Sequence, residues 1–154
     1  MKTKDIEIPS VESIMNRRVE AFEPDLPIAE AIQLLLRRGY SGAPVVDGEG
    51  KPIGVLSEHD CVGVLAESLY EDWPTGKVGD HMVKDPVTVD VGQDVLAAAR
   101  AFAKAKLRRL PVVREGKLVG LLTRRDLMRA LDDLRRSAGK QHEPTTYELI
   151  AARR

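Results

Sequence analysis

The sequence predicts an α+β fold made of two copies of one β-α-β-β-α unit packed sheet against sheet. Three observations lead there. Gly54-Val55-Leu56-Ser57-Glu58-His59-Asp60 returns as Gly120-Leu121-Leu122-Thr123-Arg124-Arg125-Asp126, 66 residues later. Met15/Met82, Pro44/Pro111, Val45/Val112 and Val46/Val113 match at an offset of 67, and a hairpin turn one residue shorter in the second copy explains the slip. Such self-similarity marks an internal duplication. Finally, a copy of ~60 residues buries too little surface to stand alone, so the two copies form one module.

The elements follow in order. Residues 1–9 mix charges with Ile and read as an N-terminal arm. Repeat 1 covers 10–69. Ser10 caps a short helical turn, Val11-Glu12-Ser13-Ile14-Met15. Val19 to Phe22 is extended. Asp25 caps a helix with Pro27 in its first turn, and Ile28, Ala31, Ile32, Leu35 and Leu36 recur at helical spacing. Gly39 ends that helix. Ala43 to Val46 and Ile53 to Ser57 form a hairpin around Asp47-Gly48-Glu49-Gly50. A helix from Glu58 buries Val62, Leu65, Ala66 and Leu69.

Residues 70–77, with Trp73-Pro74-Thr75-Gly76, read as a linker in which Trp73 packs on the module. Repeat 2 covers 78–137. Val78 to Met82 repeats the opening helix and Val87 to Val89 the first strand. Val95, Ala98, Ala99, Phe102 and Ala103 repeat the apolar helix face. Leu110 to Val113 and Leu118 to Thr123 form the hairpin around Arg114-Glu115-Gly116-Lys117. The last helix buries Leu127, Ala130, Leu131 and Leu134. Residues 138–154 form a C-terminal extension with a short helix near Tyr147, Leu149, Ile150 and Ala151.

Composition narrows the function. Hydrophobic residues make up 43% and aromatics 4%, so the core is aliphatic. Lys+Arg and Asp+Glu balance at 24 each, which argues against whole-chain attraction to nucleic acid or an anionic membrane. The paired arginines are offset by acids and lack interleaved aromatics for base stacking. The lone Cys61 permits no intramolecular disulfide and reads as a small buried hydrophobe. His59, His81 and His142 share no metal-ligand spacing. No apolar run reaches ~18 residues, and residues 1–9 hold no apolar signal core; a cytoplasmic protein is expected. No nucleophile–base arrangement or phosphate-binding Gly-rich loop points to catalysis.

The ordered set of Val-x-x-x-Met turn, Pro-Val-Val strand, Gly-containing hairpin and Gly-hydrophobic-x-Ser/Thr-x-x-Asp ending, present twice over residues 10–136, resembles the cystathionine-β-synthase (CBS) domain, which occurs as a tandem pair. The resemblance implies two repeats related by a pseudo-two-fold axis. It implies clefts between them for AMP, ADP, ATP or S-adenosylmethionine as regulatory ligand, with no required cofactor and no catalysis. It also implies a homodimer and a regulated partner protein. The chain is similar to the stand-alone type.

By the resemblance, the ending's Asp accepts from ribose hydroxyls and its Ser/Thr reaches ribose or phosphate. Ser57 and Asp60 then serve one cleft, Thr123 and Asp126 the other. The competing reading of Ser/Thr-x-x-Asp is a helix capping box. Thr88 on the first strand of repeat 2 stands where relatives contact ligand; repeat 1 has Ala21. Arg108-Arg109 precede the second Pro strand where Ser41-Gly42 precede the first, and Arg125 aligns with His59. Guanidinium forks match phosphate oxygens, so the Asp126 cleft is expected to be the better phosphate site. A protein-interaction module with degenerate clefts is the alternative.

Overall fold

The computed structural model describes residues 6–68, 74–105 and 107–139. Leu69, Trp73 and the expected C-terminal helix lie outside the described residues. Two three-stranded sheets carry the fold, and each is built mainly from one repeat.

In the first, β1 (Gly42–Val46) pairs antiparallel with β2 (Pro52–Ser57). In the second, β5 (Arg109–Arg114) pairs antiparallel with β6 (Lys117–Thr123). The connecting turns differ as their lengths require. In the longer one Asp47 Oδ1 accepts from the N–H of Glu49 and of Lys51, both at 2.9 Å. The shorter turn has Glu115 and Gly116 both at positive φ, 51° and 78°. Two successive positive-φ residues give the tight turn whose twist matches the strands it joins.

Helices α2 (Ile28–Arg38) and α3 (Glu58–Ser68) cover the first sheet, and α5 (Val95–Ala105) and α6 (Arg124–Ser137) the second. Each layer has its own core. Ile28, Leu35, Val45, Leu56 and Val64 sit in one, and Val95, Phe102, Leu110, Val112 and Leu122 in the other. Ile28, Leu56, Leu110 and Leu122 are fully buried, each stabilising the fold by about 1.5–3 kcal/mol.

The opening helices are exchanged between the layers. Helix α1 (Val11–Ile14) belongs to repeat 1 in sequence, yet Val11 and Met15 lie in the core of repeat 2. Helix α4 (Val78–His81) and its Val78 lie in the core of repeat 1, with Met82 packed against it. Backbone bonds fix both exchanges. Val11 N–H donates to Gln93 at 2.8 Å and Val95 N–H to Pro9 at 3.0 Å; Val78 N–H donates to Leu26 at 2.8 Å and Ile28 N–H to Gly76 at 3.0 Å. The duplicated Met and Gly thereby meet across the copies. A Cβ on Gly120 would land on Met15 Sδ, and one on Gly54 on Met82 Sδ.

The exchange adds a short strand the sequence reading did not contain, β3 (Val83–Lys84), antiparallel to β2. Its counterpart in the other layer is a single bridge, Asn16 to Leu121. The expected extended segments are also shorter than read. Val19–Phe22 reduces to a parallel bridge between Phe22 and Val45, and Val87–Val89 to β4 (Val89–Asp90), parallel to β5.

Several helix details change. Ser10 does cap α1, accepting from Ser13 N–H at 3.3 Å, and Gly39 does end α2 at φ 68°. Asp25 does not cap α2. Pro27 holds the cap position without a side-chain bond, and Asp25 pairs with Lys77 at 3.3 Å. Leu36, Val62, Leu65, Ala66, Ala103 and Leu131, expected in the core, are exposed. The apolar stripes are wider than the surface each helix buries. On α3 the core takes Cys61 and Val64, and on α6 Leu127 and Ala130. The neighbouring row of each helix faces outward.

Candidate functional site

The two Ser/Thr-x-x-Asp endings sit where β2 runs into α3 and β6 into α6. In both, the Asp carboxylate folds back over the helix start. Asp60 Oδ2 accepts from Ser57 N–H at 2.8 Å and from Ser57 Oγ at 2.9 Å, while Asp60 N–H donates to Ser57 Oγ at 3.3 Å. Asp126 Oδ2 accepts from Thr123 N–H at 2.9 Å, and Asp126 N–H donates to Thr123 Oγ1 at 3.2 Å. Both are capping boxes with Asp in the role usually held by Glu or Gln. The box uses only one carboxylate oxygen. Oδ1 of each Asp takes no protein hydrogen bond among the described residues. Capping and ligand contact are therefore compatible: the box holds the carboxylate still, and one oxygen stays open to a hydroxyl donor.

The surroundings of the two endings differ. Ser57, His59 and Asp60 open on a cavity of about 670 Å³ with walls from both repeats. Opposite them stand Arg108, Arg109 and Pro111 of repeat 2, and one side is closed by Val83 and the Asp85-Pro86-Val87 segment. Asp85 lies at φ 54°, a left-handed conformation that Asp tolerates better than most residues. The sequence reading missed Glu58, Val83, Asp85 and Leu107. The exchange of α4 carries 83–87 over β2, and the only trace of that in the sequence is the repeated Met facing the repeated Gly.

Thr123 and Arg125 line a second, more open cavity of about 720 Å³, with Arg108 and Arg109 on its opposite wall. Asp126 does not line it. Arg109 lines both cavities. Its guanidinium reaches across from β5, donates to Ser41 Oγ and lies over Gly42, where a Cβ would land on Nη1. The surface of Gly42 is thus buried under Arg109 rather than turned to a ligand. Burial lowers the Arg109 pKa, Glu58 opposes that shift, and Arg108 adds to it. An arginine so displaced still carries its charge at neutral pH.

Thr88, expected beside Thr123 and Asp126, lies apart from both. It lines a separate cavity of about 370 Å³ with Lys51, Ile53 and Val113. The structure therefore gathers Ser57, His59, Asp60, Arg108 and Arg109 around one cleft. It places Thr123 and Arg125 in the other, which Arg108 and Arg109 also line, and brings Asp126, Thr88 and Gly42 to neither. Arg108 pairs with Glu58 at 3.5 Å, with both side chains more than half exposed. Cys61, next to Asp60, is a free buried thiol whose pKa is raised by burial and then by the Asp60 charge.

The sequence model of the CBS domain matches twice, over residues 11–67 and 78–133. The chain is 31% identical to the uncharacterized protein MJ1225 of Methanocaldococcus jannaschii, over 79% of this chain and 42% of that one. It therefore spans less than half of that relative's length. The chloroplastic CBS domain-containing protein CBSX2 of Arabidopsis thaliana is also 31% identical; its structure in complex with AMP superposes with a TM-score of 0.72, covering 82% of this chain and 98% of that one. The CBS domain pair of MJ0100, in complex with 5′-methylthioadenosine and S-adenosyl-L-methionine, shares the fold at a TM-score of 0.69 and 23% identity, over 82% and 98% of the two chains.

Proposed function

The chain belongs to the CBS domain family, and on that premise we propose that it is a regulatory ligand-sensing module. It binds an adenosine-containing ligand between its repeats and passes the bound state to a partner protein. The observation that carries this reading is the Asp60 carboxylate, pinned through Oδ2 by its own helix cap, in a cavity that both repeats line. Oδ1 accepts from a ribose hydroxyl, a charge-assisted bond of the stronger class. Val55, Val62, Val83 and Pro86 offer the base an apolar wall, and Arg108 and Arg109 reach a phosphate. The AMP complex of CBSX2 supports the same ligand class here.

The sensing mechanism follows from the shared cavity. A ligand touching both repeats binds one of their relative arrangements better than others, and shifts the population by no more than that difference. No catalytic step is assigned to any residue. For the second cavity, which Asp126 does not line, the second reading is favoured: a protein-interaction module with a degenerate nucleotide site.

The partner set includes a second copy of this chain. Val62 and Leu65 on α3, exposed by 62% and 46%, correspond through the duplication to Met128 and Leu131 on α6, exposed by 69% and 37%. Two apolar pairs repeated at equivalent outward positions fit a self-complementary contact. We place the module in the cytoplasm; among the described residues no helix is long and apolar enough to cross a membrane.

A thermal-shift series with AMP, ADP, ATP and S-adenosylmethionine tests the reading. A native-state ligand at a hundredfold over its Kd adds about 2.7 kcal/mol, or a melting-temperature rise of roughly 5–10 °C for a chain of this size. A flat response to all four would remove the proposal.

A further inference from the structure

The groove between the N-terminal arm and the last helix is apolar where the fold does not require it. Ile6, Pro9, Ile14, Ala130 and Leu134 line a cavity of about 370 Å³ there. The arm is fixed in place, because the Pro9 carbonyl accepts from Val95 N–H at 3.0 Å and Ser10 bridges to Asp94. Ile6 is nonetheless 49% exposed. The duplication supplies a control on the composition of these walls. Ile14 and Leu134 stand where the other copy has His81 and Ser68. Positions equivalent by the repeat thus take polar residues in one layer and aliphatic ones in the other. Grouped apolar surface open to water marks an interaction site, and here the symmetry of the fold does not explain it.

Chain path and charge point to the occupant. Helix α6 ends at Ser137, on the wall of the groove itself. Gly139, at φ 68°, then takes the chain out of the helical direction, with its N–H donating to Arg136 at 3.1 Å. The sequence continues through residues 140–154. From Gly139 to Tyr147 the chain can span about 26–29 Å when extended, whereas the α6 wall from Ala130 to Ser137 is roughly 10 Å long at the helical rise. The chain can therefore double back over the helix it has just left. In that segment Tyr147, Ile150 and Ala151 recur at the i, i+3, i+4 spacing of one helix face, and Arg153 and Arg154 follow. The charged residues on the groove wall are both acids, Glu7 and Asp133. Among the described residues neither takes part in an ion pair. Arg135 and Arg136 are committed instead to Asp132, at 3.1 Å and 3.0 Å. The last carbonyls of α6 add partial negative charge at the same end.

We propose that residues 147–154 of the same chain dock in this groove as an amphipathic segment. Tyr147 and Ile150 cover the apolar wall, and Arg153 and Arg154 lie beside Glu7 and Asp133. The segment then straps α6 of repeat 2 to the arm and α1 of repeat 1, and reinforces the exchange of opening helices from outside. The contact uses no residue of the two clefts, so it stands or falls separately from the ligand reading.

The test is disulfide trapping in the full chain. Cys61 is the one native cysteine, and Cys61→Ala removes it. In that background Leu134→Cys is combined with Ile150→Cys or with Tyr147→Cys, and the chain is oxidised with glutathione disulfide. The control replaces Leu134→Cys by Ser68→Cys at the equivalent position of repeat 1. Circular dichroism checks that each variant folds. A disulfide needs Cβ atoms about 4 Å apart, so a docked segment closes one fast. Leu134→Cys should form an intramolecular cross-link with at least one of the two partners at least about tenfold faster than Ser68→Cys does, as the higher effective concentration requires. In the otherwise wild-type chain, Ile150→Asp should lower the melting temperature by about 3–12 °C through lost apolar burial. Cross-linking no faster than the Ser68→Cys control, or an unchanged melting temperature in Ile150→Asp, overturns the docking. A covalent dimer in place of the intramolecular cross-link overturns the same-chain occupant and assigns the groove to the C-terminal segment of a second copy.

Discussion

Gly120→Ala tests the exchange of opening helices that brings the two repeats together. The new methyl would land on Met15 Sδ, with the Asn16 carbonyl oxygen at 3.2 Å. Met15 is buried and cannot leave for solvent. Its thioether is flexible, so the side chain yields before the backbone does, and overpacking of this kind costs about 1–3 kcal/mol. Met15→Ala alone removes core volume and costs about 2–5 kcal/mol. In the double variant the space vacated by Met15 takes the new methyl. The two costs should then fall short of their sum by about 1–2 kcal/mol, the range of directly contacting residues. Urea unfolding measures this as shifts of midpoint at constant slope. Gly120→Ala with Met82→Ala is the control, because Met82 packs in the other core, and these two should be additive. Additive costs for Met15 and Gly120, or coupling of Gly120 to Met82 instead, would refute the exchange.

Other expectations follow from single contacts. Thr123→Ala deletes the cap of α6 and should cost about 1 kcal/mol, read from the same unfolding curves. If α3 and α6 carry the contact with a second copy, Leu65→Lys/Leu131→Lys should turn a dimer into a monomer in analytical ultracentrifugation; an unchanged sedimentation coefficient would exclude that surface. The Cys61 thiol has its pKa raised in the fold. Its contribution to stability is therefore complete below the unfolded thiol value, about 8.5, and is lost as pH rises through the higher folded value. The stability difference between wild type and Cys61→Ala should shrink above about pH 9, and a pH-independent difference would argue against a buried neutral thiol.

The duplication made the architecture legible because both copies repeat the same turn, cap and strand signals. Local chemistry was legible for the same reason: Ser10, Gly39 and the two Ser/Thr-x-x-Asp boxes act where their residue types require. The exchange of α1 and α4 was not legible, since a four-residue helix has no signal for which neighbour it joins. Helix faces were misread in the same direction each time. Val62, Leu65 and Leu131 are apolar at core-like spacing but face outward, because periodicity marks a stripe without marking its edge. Arg108 and Arg109 were assigned to the Asp126 cleft by their position before the second Pro strand, and they do line the cavity of Thr123 and Arg125. In space they also face Asp60 from across the repeat boundary, and Arg109 spans onto Gly42.

The central claim is that Asp60, fixed by its own cap, holds the ribose of an adenosine ligand. Calorimetric titration of AMP into wild type and Asp60→Asn tests it most directly, because the amide oxygen still accepts the Ser57 N–H and the fold is kept while the charged acceptor is lost. AMP should bind the wild type, and the variant should bind it roughly ten- to a hundredfold more weakly, as losing a hydrogen bond to a charged group implies. Equal affinity in the two proteins, at equal stability in urea, would contradict the account.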